Sequence, residues 1–154
     1  MSHYCNNRRS SYQAVEGTLL YLGLYFLCLS FQSFSKYYIL AKKKEEAKGK
    51  DSNQRVSFKT IKYYSHDKMA LRGDRTVGNY IEQGFCYLPL FWMHALFVDP
   101  SHSFAISATY TASRLLYPFL FGSKQGMIIL LSTFPGYVVN IYLLVALLRE
   151  VAFA

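Results

Sequence analysis

Apolar residues fall into four blocks along the 154-residue chain, at 17–35, 83–98, 100–123 and 125–148, with polar or turn-forming sequence between them. A helix needs about 20 apolar residues to span the hydrocarbon core of a bilayer. The pattern therefore predicts an all-α, integral membrane four-helix bundle, with helices over about 14–40, 72–97, 101–121 and 126–149. Residues 41–71 become a long basic loop between the first and second helices, and the whole of 1–154 reads as one domain with no internal repeat. Two helices carry an ionisable residue at hydrocarbon depth, Glu82 on the second and Arg114 on the third. Such side chains are costly in lipid and so mark a site or an interhelical pair.

The first helix is expected to begin near Ser11 or Ala14, with Leu19, Leu22, Phe26 and Leu29 along it. Tyr21, Tyr25, Tyr37 and Tyr38 suit interfacial aromatic belts, and Lys42, Lys43 and Lys44 stop transfer. Residues 56–64 alternate only partly between apolar and polar, which fits a short strand, an interfacial segment or a loop on the headgroups. The second helix starts at Ser65 or Arg72 and ends near Phe97. Asp99-Pro100-Ser101 is a tight turn, because proline fixes φ and disfavours helix at the residue before it, and it makes helices two and three an antiparallel hairpin. Residues 122–126 form the next short connection. Pro89, Pro118 and Pro135 fall inside helices, each removing a backbone donor, with Pro135-Gly136 the strongest kink candidate.

Charge orients this arrangement. The net charge is +8, and residues 36–75 alone hold nine Lys and three Arg against two Glu and three Asp. Under the positive-inside rule that loop and Lys124 lie on the cytosolic-type side, with both termini and Asp99 opposite; Arg8 and Arg9 run mildly against it. Anionic headgroups attract such juxtamembrane cations, and no base-stacking motif accompanies them, so membrane lipids rather than nucleic acid are the expected partner. The location is a multi-pass protein of an endomembrane or organellar membrane. Cys5, Cys28 and Cys86 show no disulfide or metal spacing, and Cys28 and Cys86 read as small buried hydrophobes. No signal peptide or transit peptide is evident. His94, without Cys, Asp or Glu nearby, reads as a core residue rather than a ligand, and His102 as solvated. No metal site, nucleophile elbow or phosphate loop emerges.

The polar residues of the helices form two stripes. Arg75, Asn79 and Glu82 lie at i, i+4 and i+7, one face of a helix. Tyr110, Arg114, Tyr117 and Phe121 form a similar face on the third helix. If the stripes meet, Glu82 and Arg114 neutralise each other as a structural pair. The surplus of donors and acceptors, with Gln83 added, suits instead an anionic, peptide-like ligand, since Arg holds a carboxylate through two parallel bonds.

Residues 75–83, RTVGNYIEQ, then LFWMHALFVDP at 90–100 and RLLYP at 114–118, resemble the MAPEG family, membrane-associated proteins in eicosanoid and glutathione metabolism. The likeness runs from about Ala14 to Leu148. It implies a homotrimer of four-helix subunits that binds glutathione between neighbours near the cytosolic face. By position, Arg75, Asn79, Glu82, Arg114 and Tyr117 match the family's glutathione-binding residues, with Glu82 and Arg114 as its buried ion pair. Lys36 or one of Lys42 to Lys44 matches the basic residue near the end of the first helix.

Two departures stand out. Phe121 replaces a tyrosine, and Met127, Ile128 and Ile129 occupy the place where relatives that activate glutathione carry an arginine. A thiol titrates near 8.5 unless a cation or donor lowers it, and Lys124 or Ser123 lacks the planar fork of arginine. No catalytic residue is assigned. The resemblance implies either a glutathione transferase or peroxidase acting on lipophilic electrophiles, or a catalytically silent accessory subunit whose neighbours are the subunits of a larger membrane complex.

Overall fold

The computed structural model describes residues 2–48, 57–64, 67–121 and 126–153, and for 2–11, 64 and 126 the backbone only. Lys124, Ser123 and Ser65 lie outside the described residues, as do the side chains of Cys5, Arg8 and Arg9. The chain is all-helical: α1 is Ser2–Lys48, α2 Phe58–Tyr64, α3 Lys68–Phe97, α4 Ser103–Leu115, α5 Tyr117–Leu120 and α6 Leu130–Phe153, entered through a 3-10 turn at Gly126–Ile129. No strand occurs among the described residues. α1 packs against α3 and α4, and α6 packs against the same two, so α3 and α4 are flanked on one side by α1 and on the other by α6. Two stretches, Tyr12–Lys48 and Met127–Phe153, are long and apolar enough to cross a membrane.

The elements differ from the expected ones for local reasons. α1 starts earlier and ends later than 14–40, reaching 47 residues, about 70 Å at the α-helical rise. Its C-terminal extension, AKKKEEAK, is made of good helix formers with Lys42 and Glu46 at i, i+4, so the three lysines do not end it. Extending a formed helix costs far less than nucleating one, which carries the backbone through Asn6, Asn7 and Ser10 as well. The residues 58–64 are a helix rather than strand or loop, because Ile61 inserts between Ile39 and Ala70 as the centre of a small satellite core. Asp67 caps α3, its side chain accepting from the Met69 amide at 2.8 Å. The expected third helix is broken: Pro118 offers no N–H to the Arg114 carbonyl, so α4 stops at Leu115 and α5 resumes at Tyr117. α6 stays continuous across Pro135.

The main core is built from tyrosine. Tyr21, Tyr80, Tyr87 and Tyr110 are all buried among the helices, so Tyr21 is a core residue and not a belt residue, while Tyr37 and Tyr38 are exposed. The Tyr21 hydroxyl donates to the Tyr80 carbonyl at 3.3 Å and the Tyr80 hydroxyl returns to the Tyr21 carbonyl at 2.7 Å, tying α1 to α3 twice. Tyr87 stacks on Tyr110 at 3.8 Å with an interplanar angle of 7°, linking α3 to α4. The Ser107 hydroxyl donates to the Gly17 carbonyl at 2.6 Å, holding α4 to α1. Tyrosine rings fill the volume of this core; the hydroxyls of Tyr21 and Tyr80 find carbonyl partners, while those of Tyr87 and Tyr110 are buried without a hydrogen-bond partner.

Candidate functional site

α3 and α4 run antiparallel, joined by the Asp99-Pro100-Ser101 turn, so residues near the start of α3 meet residues near the end of α4. Arg114 lies at this junction and is 1% exposed. Its Nη1 donates to Asn79 Oδ1 at 3.0 Å, and the guanidinium carbon stands 5.1 Å from the centroid of the Tyr110 ring. Nε and Nη2 have no hydrogen-bond partner. That free edge faces α6 at Gly136, where a Cβ would collide with Nη2 and stand 2.9 Å from Cζ. A side chain at position 136 would therefore have to displace the arginine head.

Tyr117, three residues further on, is buried and within electrostatic reach of Arg75, Glu82 and Arg114. Its ring stacks on Phe121, 5.8 Å between centroids. The five residues picked from the sequence, Arg75, Asn79, Glu82, Arg114 and Tyr117, thus converge on one end of the helix group. They do so in two layers, with Arg114 and Tyr117 buried, Asn79 half-buried, and Arg75 and Glu82 exposed at the outer edge.

The expected Glu82–Arg114 ion pair is not formed. The ion pairs among the described residues are Lys36–Asp74 and Asp99–His102. The reason is the helical wheel: Asn79 lies three residues before Glu82, about 60° nearer the core at 100° per residue, so the amide reaches the guanidinium and the carboxylate turns outward. An amide oxygen accepts a hydrogen bond but supplies no countercharge. Arg114 is consequently a buried cation with no facing anion, its Nε and Nη2 packed against α6 without a hydrogen-bond partner, an arrangement that is costly in isolation.

Other groups border this centre. Gln83 Nε2 donates to the Tyr137 hydroxyl at 3.2 Å, beside Gly136. Asn140, four residues beyond Gly136, has a buried Oδ1 without a partner; its signal in the sequence is an amide inside an otherwise apolar block. Lys36 is engaged away from the stripe, 2.6 Å from Asp74 Oδ1 with Gln32 donating to the same oxygen at 2.7 Å. Cys86, one turn after Glu82, is an exposed free thiol rather than a buried one, whereas Cys28 is buried. Met127, where relatives of the resembled family carry an arginine, is exposed. His94 is buried with Nδ1 unpartnered, its ring 5.7 Å from that of Tyr142. His102 is exposed and pairs with Asp99. No group of three or more possible metal ligands occurs among the described residues.

The chain matches no protein-family model, no curated protein and no solved structure. Chemistry alone then describes the centre. It offers a buried guanidinium and phenol, a half-buried amide, and a second arginine and a carboxylate at the rim. Such a set can hold a zwitterionic or polyanionic molecule with amide groups.

Proposed function

We propose that the chain is a multi-pass integral membrane protein of the MAPEG type, a four-helix bundle whose polar centre binds glutathione. The observation that carries this reading is the buried Arg114, held by a neutral amide with no acid in contact and with Tyr117, Arg75 and Glu82 close by. A buried guanidinium without a countercharge is costly, and the carboxylate of a ligand would supply that charge. Arg75 and Glu82 at the rim supply opposite charges for the other ends of a zwitterionic tripeptide. Further support comes from the motifs at 75–83, 90–100 and 114–118. The two helices able to cross a membrane and the large apolar side chains exposed along them, Leu19, Phe26, Leu27 and Leu131 among them, support the membrane setting. The chemistry of this reading is the attack of the glutathione thiol on a lipophilic electrophile, or reduction of a lipid hydroperoxide, with proximity as the main contribution.

The test is thermal stability of the detergent-solubilised protein at millimolar glutathione. A ligand that binds only the folded state raises the melting temperature by mass action. A rise that Asn79→Ala removes is the expected result, and no rise in the wild type would overturn the reading.

A second reading is favoured by Phe121 and by the apolar Met127, Ile128 and Ile129. In it the same centre is retained without catalysis, and the chain serves as an accessory subunit of a larger membrane complex with a lipid-binding or structural role. Glutathione binding without any turnover of an electrophile, together with recovery only in a larger complex, supports this version.

A further inference from the structure

Away from the arginine centre, the outer face between α1 and the α4–α5 segment carries two adjoining cavities. One, of about 560 Å³, runs from Leu19 to Leu27 on α1 against Ala108 to Leu115 on α4. The other, of about 260 Å³, continues from Leu24 to Phe31 and is closed by Pro118, Phe119, Thr76 and Arg72. Leu24, Leu27 and Leu115 line both, so the two form one groove. Measured along α1 from Leu19 to Phe31, it is about 18 Å long at the helical rise, the length of a long-chain fatty acid. Apart from Arg72, Thr76 and Thr111 the lining is apolar or small.

Charge sits at one end of the groove only. Arg72 is half-buried, and among the described residues its side chain makes no ion pair or hydrogen bond. Asp74, the nearest acid in sequence, is already engaged by Lys36 and Gln32. An apolar slot of this length ending in an unpaired guanidinium complements an amphiphile with one chain and one anionic head. From this the geometry points to a binding site for a single-chain carboxylate lipid, the chain lying between α1 and α4 and the carboxylate on Arg72. The site is separate from the arginine centre and stands whether or not glutathione binds there.

The test uses a photoactivatable palmitic acid and the matching palmityl alcohol, each added to the full chain in zwitterionic nanodiscs, with adducts mapped by mass spectrometry. Adducts on the α1 and α4 groove residues are expected, with the acid favoured over the alcohol by roughly tenfold, the size of one charge-assisted hydrogen bond. Arg72→Gln brings that ratio near one while alcohol adducts persist. Gly23 lies in the groove with nothing within 4 Å of the place its Cβ would take; Gly23→Phe places a ring in the slot and lowers labelling by both probes. A wild-type ratio near one, an unchanged ratio in Arg72→Gln, or equal acid labelling of the face around Leu144 and Val151 would each overturn the site.

Discussion

At the scale of single residues, the molecule turns on how Arg114 is kept. Its guanidinium is removed from water beside an amide and a ring, with no acid in contact. Replacing a whole buried ion pair by apolar groups is often neutral or stabilising, by about 1 kcal/mol or more, and an arginine with no acid in contact leaves no uncompensated charge behind when it is removed. Arg114→Met is therefore expected to leave the melting temperature unchanged or to raise it, while abolishing any glutathione-dependent shift; a large loss of stability would show that the arginine is structural glue. Gly136→Ala pushes a methyl group into the same guanidinium. It should cost about 1–3 kcal/mol, as overpacking does, and the cost should vanish in the Arg114→Met background, a coupling that denaturant titration of both single variants and the double variant measures. The sequence spacing was enough to gather Arg75, Asn79, Glu82, Arg114 and Tyr117 on facing stripes. It was not enough to choose the partner of Arg114, because a stripe is broad and a rotation of about 60° decides whether amide or carboxylate turns inward. The seat at Gly136 was hidden for a related reason: beside Pro135 a glycine reads as a kink, and only packing reveals a close approach.

At the scale of elements, two small polar devices hold helices to one another. Lys36, Asp74 and Gln32 clamp α1 to α3 near the basic end, and the lysine side chain is only 11% exposed. Asp74→Ala leaves that lysine without its acid and should cost about 1–2 kcal/mol. Because a pair removed whole leaves no uncompensated charge, Lys36→Met combined with Asp74→Leu should recover most of the loss in a thermal melt. At the other end, Asp99 accepts from the Ser101 amide at 2.8 Å and hydroxyl at 2.7 Å and meets His102 Nδ1 at 3.0 Å. The Ser101 hydrogen bonds, with His102 adding to them, push the Asp99 carboxyl down to about 2. A carboxyl lowered on folding stabilises above its ordinary value near 3.9, and that contribution is lost as pH falls from about 4 to about 2. Amide exchange at the turn should quicken over that window, and Asp99→Asn should remove the dependence. The long helices, the turn at 99–101 and the apolar character of those helices were legible from periodicity and from proline. The ends of α1 were not, since propagation and Lys/Glu pairing override the charge signal, and α2 depends on Ile61 finding Ile39 and Ala70, partners distant in sequence.

At the scale of the whole molecule, the arginine centre is open on one side. Arg114 and Tyr117 are covered by α3, α4 and α6, but Arg75 and Glu82 stand exposed on the outer edge of α3 with no covering element. A carboxylate and a guanidinium left bare at the edge of an apolar protein are costly in lipid, and a small polar ligand held there is open to exchange with water. On the proposed reading, a second surface over that edge would balance the charge and enclose the ligand. The same outer edge carries exposed Cys86, Met93 and Phe97, so a surface that covers it would meet apolar as well as charged groups. Another copy of this chain supplies it most simply, because closed symmetric assemblies are the common outcome of self-complementary faces. If the assembly is the trimer that the MAPEG resemblance implies, native mass spectrometry from nanodiscs should show three chains of 17.8 kDa, and Glu82→Lys on every copy should loosen it and remove the glutathione shift together. Survival of the shift in a monomeric preparation would mean that one chain closes its own cleft. A chain found only among unlike subunits would assign the exposed edge to a different neighbour and favour the accessory role.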